Sequence, residues 1–164
     1  MELPKDEIDS ALEFIRRTKG NLEFIEFAAE EDEKKGKTNA RVWEVTQLVN
    51  STLGLIIFPS DALLDSITTP LHRLPEWPDI KVVRGSPAKD TLHQLVKGLR
   101  NGLAHHNVEF INGKDKKISR LRIWNCTPPE YIEKIWEVSL SIDDLRTFCI
   151  KFSEMLVREL KGHI

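Results

Sequence analysis

Leu92, Leu95, Val96, Leu99 and Leu103 recur at three- and four-residue steps, so the segment from about Lys89 to Ala104 reads as an amphipathic helix with one buried stripe. Directly after Asn107 the pattern becomes strand-like in Val108-Glu109-Phe110-Ile111. This switch constrains the fold more than any other feature. A packed helix must stop within a few residues and hand the chain to a β-element.

The flanking sequence supplies partners for both. Ile8, Leu12, Ile15, Leu22, Ile25 and Ala29 keep one helical phase across Gly20-Asn21, which predicts a long first helix, straight or kinked, that gives way to a solvated turn in the charged run from Glu30 to Lys37. Thr38 or Asn39 is placed to cap a second helix facing the core with Val45, Leu48, Val49, Thr52, Leu55 and Ile56 and stopped by Pro59. Five of the eight prolines fall between Pro59 and Pro87, among Leu63, Leu64, Leu71, Leu74 and Trp77. Such a stretch is too apolar for a free linker and too broken for one element, so it is expected to form a short helix near Ser60 to Ile67 and then wrap the helices.

Downstream, Asn112-Gly113 signals a hairpin, and Ile118 to Trp124 and Lys134 to Leu140 alternate as further strands. Ser141 with Asp144 reads as a capping box for a last helix carrying Leu145, Phe148, Cys149, Phe152, Met155, Leu156 and Leu160. The expected class is mainly α, a helical bundle with a small antiparallel sheet inserted before the last helix.

With 164 residues and 40% apolar content, residues 1–164 are expected to form a single domain. A net charge of -2 provides no global field to collect nucleic acid, so any such contact must be a local patch. Cys126 and Cys149 have no partners at metal-ligand spacing, which argues against a disulfide framework or structural zinc; no cofactor is expected. The N-terminus carries no signal-peptide pattern and the apolar run Leu53 to Phe58 is too short for a bilayer, so a cytoplasmic protein without membrane contact is expected.

The chemistry-bearing residues gather where the third long helix ends: Leu99-Arg100-Asn101-Gly102-Leu103-Ala104-His105-His106-Asn107. A guanidinium stays charged and can fork onto a phosphate, and an imidazole exchanges protons near neutral pH. Similar spacing recurs at Arg158 and His163, in a C-terminal tail expected to fray. Asn101 and His105 point away from the apolar stripe, together with Gln94, Gly98 and Gly102, whereas His106 falls beside Leu103 and is expected to be only a capped or core-edge histidine. Gly98 and Gly102 cost about 1 kcal/mol each relative to alanine in a helix interior. Close approach of a second helix would offset that cost, or Gly102 simply loosens the helix end. Arg100 and His105 lie about 140° apart on an ideal helix, so a two-fold pair of such helices would aim both at one phosphate more readily than one helix can.

The string Arg100-Asn101-Gly102-Leu103-Ala104-His105 resembles the Arg, polar residue, then His signature of the HEPN superfamily, and Leu48-Val49-Asn50-Ser51-Thr52-Leu53-Gly54 through Pro59 resembles the second helix of small stand-alone bacterial members. The resemblance implies a dimerising helical bundle and, in many members, RNA cleavage without metal. Carried over by position, Arg100 would bind the scissile phosphate, Asn101 would be the polar motif residue and His105 would transfer protons, with His106 as the departure that offers a second candidate. Lys97, Asn107, Lys116, Lys117, Arg120 and Arg122 are the expected RNA contacts, the hairpin charges on the premise that the hairpin pairs against the motif helix. The resulting expectation is a homodimeric endoribonuclease acting as a toxin or in phage defence. The alternatives are a catalytically silent module bound to a nucleotidyltransferase-type antitoxin and a nucleotide- or RNA-binding regulator.

Overall fold

Helix α1 (Lys5–Lys34) runs through Gly20 and the acidic-basic stretch that follows it without interruption. The computed structural model describes residues 4–36, 44–59, 64, 77–78, 80–85, 91–114, 117–126 and 133–162, and its chain divides into two compact units, residues 1–58 with 149–164 and residues 59–148. The charged run is thus helical to Lys34 rather than a turn, because its charges sit at helical steps. Lys34 Nζ lies 3.7 Å from Glu30 and 3.5 Å from Glu31, and Lys35 Nζ lies 3.0 Å from Glu31. Pairs of this order, acid N-terminal to base, favour helix over coil. The turn comes at Gly36, at φ 62.

In the first unit α1 pairs with α2 (Glu44–Ile57). Leu48, Thr52, Leu55 and Ile56 are buried as the stripe predicts, and Val45 and Val49 are half-buried. Phe14 stacks on Phe58, with ring centroids 4.3 Å apart. The capping position at Thr38 or Asn39, and most of the stretch 60–76 with its expected short helix, lie outside the described residues. Leu64 is buried and helical.

The second unit contains a four-stranded antiparallel sheet in the order β1-β4-β3-β2, built from β1 (Lys81–Arg84), β2 (Val108–Asn112), β3 (Ile118–Cys126) and β4 (Lys134–Ser141). The three later strands fall where the alternation places them. The edge strand β1 does not appear in that reading, because four residues set among prolines give too short a period. Leu121, Ile123, Val138 and Leu140 are buried. Alternation puts Trp136, Val138 and Leu140 on the same face as Leu121 and Ile123, and Arg120, Arg122, Trp124, Glu137 and Ser139 on the other.

Helix α3 (Leu92–Ala104) begins at Thr91, whose side chain accepts from Gln94 N while Gln94 accepts from Thr91 N. Helix α4 (Ile142–Lys161) follows β4 directly. Its start carries the expected box, Ser141 Oγ accepting from Asp144 N at 3.0 Å and Asp144 accepting from Ser141 N at 3.2 Å. Every residue of its predicted stripe is buried. Arg158 lies inside this helix rather than in a frayed tail, held there by a stripe that continues to Leu160; His163 lies outside the described residues. The fold is mainly α with one small antiparallel sheet, and among the described residues no helix is long and apolar enough to cross a membrane.

Candidate active site at the end of the third helix

Seven residues of α3 are buried: Leu92, Leu95, Val96, Gly98, Leu99, Gly102 and Leu103. At about 100° per residue they fill one continuous arc, and Lys97, Asn101, Ala104 and His105 occupy the exposed arc with Arg100 half-buried at its edge. Gly98 and Gly102 therefore lie on the packed side, contrary to their expected place beside Asn101 and His105. A Cβ on Gly98 would stand 2.7–2.9 Å from the Trp136 ring, and one on Gly102 would collide with Ile123 Cγ2. The two glycines admit the sheet of their own chain, not a second helix. Asn125 Nδ2 donates to Gly98 O at 3.2 Å and fastens the contact.

The helix stops by a defined device. His106 N donates to Leu103 O at 3.2 Å and Asn107 N to Gly102 O at 2.8 Å, the paired bonds of a Schellman motif. His105 is the cap, and His106 takes the left-handed position at φ 57, where glycine is usual. Both histidines are exposed. The core-edge reading of His106 fails because the positive φ at His106 itself takes that residue off the helical projection, so placement beside Leu103 no longer applies; the capping reading stands. Asn107 O then accepts from Trp124 N at 3.1 Å, which ties the turn to β3.

The motif residues Arg100, Asn101, His105 and His106, with Lys97, thus gather over the last two turns of α3 and its stop, and Asn107 is half-buried beside them. Arg120 and Arg122 do not join them. They project from the sheet face opposite the one that meets Gly98 and Gly102, so the hairpin charges are not packed against the motif helix. Lys117 is exposed near the hairpin tip, and Lys116 lies outside the described residues. Trp136 and Asn125, which hold α3 in place, carry no signal of that role in the sequence beyond the glycine spacing they fit.

The opposite sheet face has its own electrostatics. Arg122 Nη1 lies 3.1 Å from Glu109 Oε2, Arg122 Nε 3.1 Å from Glu137 Oε1, and Lys134 Nζ 3.2 Å from Glu137 Oε2. Glu137 is buried beneath this pair of cations. Lys134 Nζ also stands 4.1 Å from the Trp124 ring centroid, and Arg120 Nη1 donates to Ser139 Oγ at 3.2 Å.

No curated protein and no solved structure matches the chain significantly. The family model HEPN pEK499 p136 matches residues 1–162, nearly the whole length, and its span includes α1 to α4, the inserted sheet and the Arg100 to His105 run. The chain belongs to this HEPN-type family.

Proposed function

We propose that the protein is a metal-independent endoribonuclease whose site is built on Arg100, Asn101 and His105. The observation that carries this reading is their common placement: an arginine, an amide and an imidazole on or beside the exposed arc of one helix end, locked by the Schellman stop.

The chemistry follows from the groups. His105 takes the proton of a ribose 2′-hydroxyl, and that oxygen attacks the adjacent phosphorus. The bond from phosphorus to the 5′-oxygen breaks, leaving a 2′,3′-cyclic phosphate, and the departing 5′-oxygen takes up a proton to become a hydroxyl. An imidazole, which takes up and releases protons readily, suits the transfer. Arg100 neutralises the charge that grows on the phosphoryl oxygens. Asn101, one turn before His105, orients the substrate by hydrogen bonding. DNA lacks the nucleophile and is spared.

Because Arg100 and His105 diverge by about 140° around α3, the working unit is a homodimer in which the arginine of one protomer and the histidine of its partner face one phosphate. The exposed arc of α3 is the surface that meets its copy, since the glycine side is filled by the sheet.

The test is cleavage of RNA in excess chelator, with analysis of product ends. Cyclic-phosphate termini, intact DNA, and losses of about 10² to 10³-fold in Arg100→Ala and about 10² to 10⁴-fold in His105→Ala are expected. Activity abolished by chelator, or unaltered in both variants, rules the mechanism out. A stable complex with a second protein and no cleavage would instead identify a silent binding module of the antitoxin-paired kind.

A further inference from the structure

The polar face of the sheet carries a cation grid that the motif does not use. Strand register sets three cross-strand rows: Ser141 and Arg120 with Ile111; Lys81, Ser139, Arg122 and Glu109; and Arg84, Glu137 and Trp124. Directly paired residues project to the same side, and successive rows stand about 7 Å apart, twice the strand rise. The bulge between Val82 and Arg84 restores Arg84 to this side after Val83. Lys134 folds over from its strand end to reach Glu137 and the Trp124 ring, and its carbonyl accepts from Arg84 Nη1 at 3.0 Å.

Five cations, Lys81, Arg84, Arg120, Arg122 and Lys134, thus share one face with two carboxylates. Glu137 is buried under Arg122 and Lys134, so it fixes these cations rather than presenting its own charge. Lys81 and Arg84 are exposed, Arg122 and Lys134 partly so. On a chain of net charge -2 this is a local concentration of positive charge around an indole.

We propose that this face holds the backbone of single-stranded RNA, with a base stacked at Trp124, independently of the motif on α3. Arginines spaced along a sheet and an aromatic ring among them are the two elements by which sequence-tolerant single-strand binding works, one neutralising phosphates and the other stacking. The choice of RNA as ligand rests on the reading of the motif; the existence of an anion-holding face does not. Since α3 packs on the other side of the sheet, the grid holds a stretch of strand remote from the phosphate that is cut. It therefore contributes to KM and salt sensitivity and leaves the chemical step alone.

The experiment uses the full chain in the His105→Ala background, a fluorescein-labelled 20-mer oligouridylate, chelator, and anisotropy across a salt series. The triple variant Lys81→Gln, Arg84→Gln, Arg120→Gln spares Arg122 and its buried partner Glu137, and circular dichroism checks that it folds. Affinity is expected to fall about tenfold or more, and the slope of log affinity against log salt to shrink by about 2, at roughly 0.7 for each phosphate no longer neutralised. Trp124→Leu is expected to cost about tenfold with little change in slope. A single-stranded oligothymidylate is expected to compete, although it is not cut.

Unchanged affinity and slope in the triple variant, or no binding of the oligonucleotide at all, overturns the proposal. Equal weakening of oligouridylate and of polyglutamate, with Trp124→Leu silent, makes the face a dock for an acidic protein and overturns it as well. Cleavage by the chain with His105 intact is assayed alongside. Grid-dependent binding without cleavage retains the face and sinks the nuclease, and cleavage with a silent triple variant does the reverse.

Discussion

His106 holds a backbone geometry that costs an L-residue about 1 kcal/mol and glycine almost nothing, at φ 57 in the C′ position of α3. His106→Gly is therefore expected to stabilise the protein by about 1 kcal/mol, read as a rise of about 2–4 °C in Tm. If His105 transfers the proton, this variant cuts RNA near the native rate; a loss as deep as that of His105→Ala would move the role to His106. Cys149 gives the pH prediction. Its thiol is buried against Thr52, whose own proton goes to Leu48 O at 2.8 Å, and burial pushes its pKa from 9.0 up to about 12. The unfolded chain releases this proton above about pH 9 while the folded chain keeps it, so the stability it contributes is whole below pH 9 and is lost as pH rises toward 12. Urea titrations between pH 8 and 11 are expected to show a shallower alkaline decline in Cys149→Ala than in the native chain, by up to about 1.4 kcal/mol per pH unit. At this scale the Arg100 to His105 run stands out in the sequence by residue type alone, and the chemistry proposed for it rests on those types. For His106 the capping half of the expectation holds and the core-edge half does not, since an ideal helical projection carries on past the residue where φ reverses.

The elements show the same division. Helix α3 is legible from its stripe, and its start was equally available in Thr91 and Gln94, a Ser/Thr-x-x-Glu/Gln pattern whose two reciprocal bonds are present. The glycine pair announces a close approach without saying of what, because a helix and a sheet both demand a missing side chain. Edge strand β1 escapes because its partner β4 lies about fifty residues away, and one short run of alternation cannot report a non-local pairing. Helix propensity alone predicts that Gly98→Ala gains about 1 kcal/mol. Packing predicts the opposite sign, since the new methyl would press within 2.7 Å of the rigid Trp136 ring. Overpacking of this kind costs about 1–3 kcal/mol, so the net expectation is destabilisation, measured as a lower urea midpoint with unchanged m. The companion Gly98→Ala with Trp136→Leu makes room for the methyl, and the alanine is expected to cost less there than in the native background. A gain in the single variant would mean that the sheet does not seat on this face.

For the whole molecule, the question is whether one chain holds a complete site. The guanidinium and imidazole leave α3 in divergent directions, and the proposed remedy is a second copy facing the exposed arc. The consequence is complementation. In a dimer with Arg100 from one protomer and His105 from the other, co-expressed Arg100→Ala and His105→Ala chains form a mixed dimer in which one site has lost both groups and the other keeps both. Random pairing makes about half the dimers mixed, each with one working site of two, so about a quarter of native activity is expected from two chains that are each inactive alone. A site completed within one chain gives none. Sedimentation of the mixture fixes the dimer fraction, which separates failure to pair from failure to complement. Dilution supplies an independent reading: activity per chain is expected to fall as the concentration drops through the dimer dissociation constant, whereas a site complete in each protomer keeps its specific activity however far it is diluted.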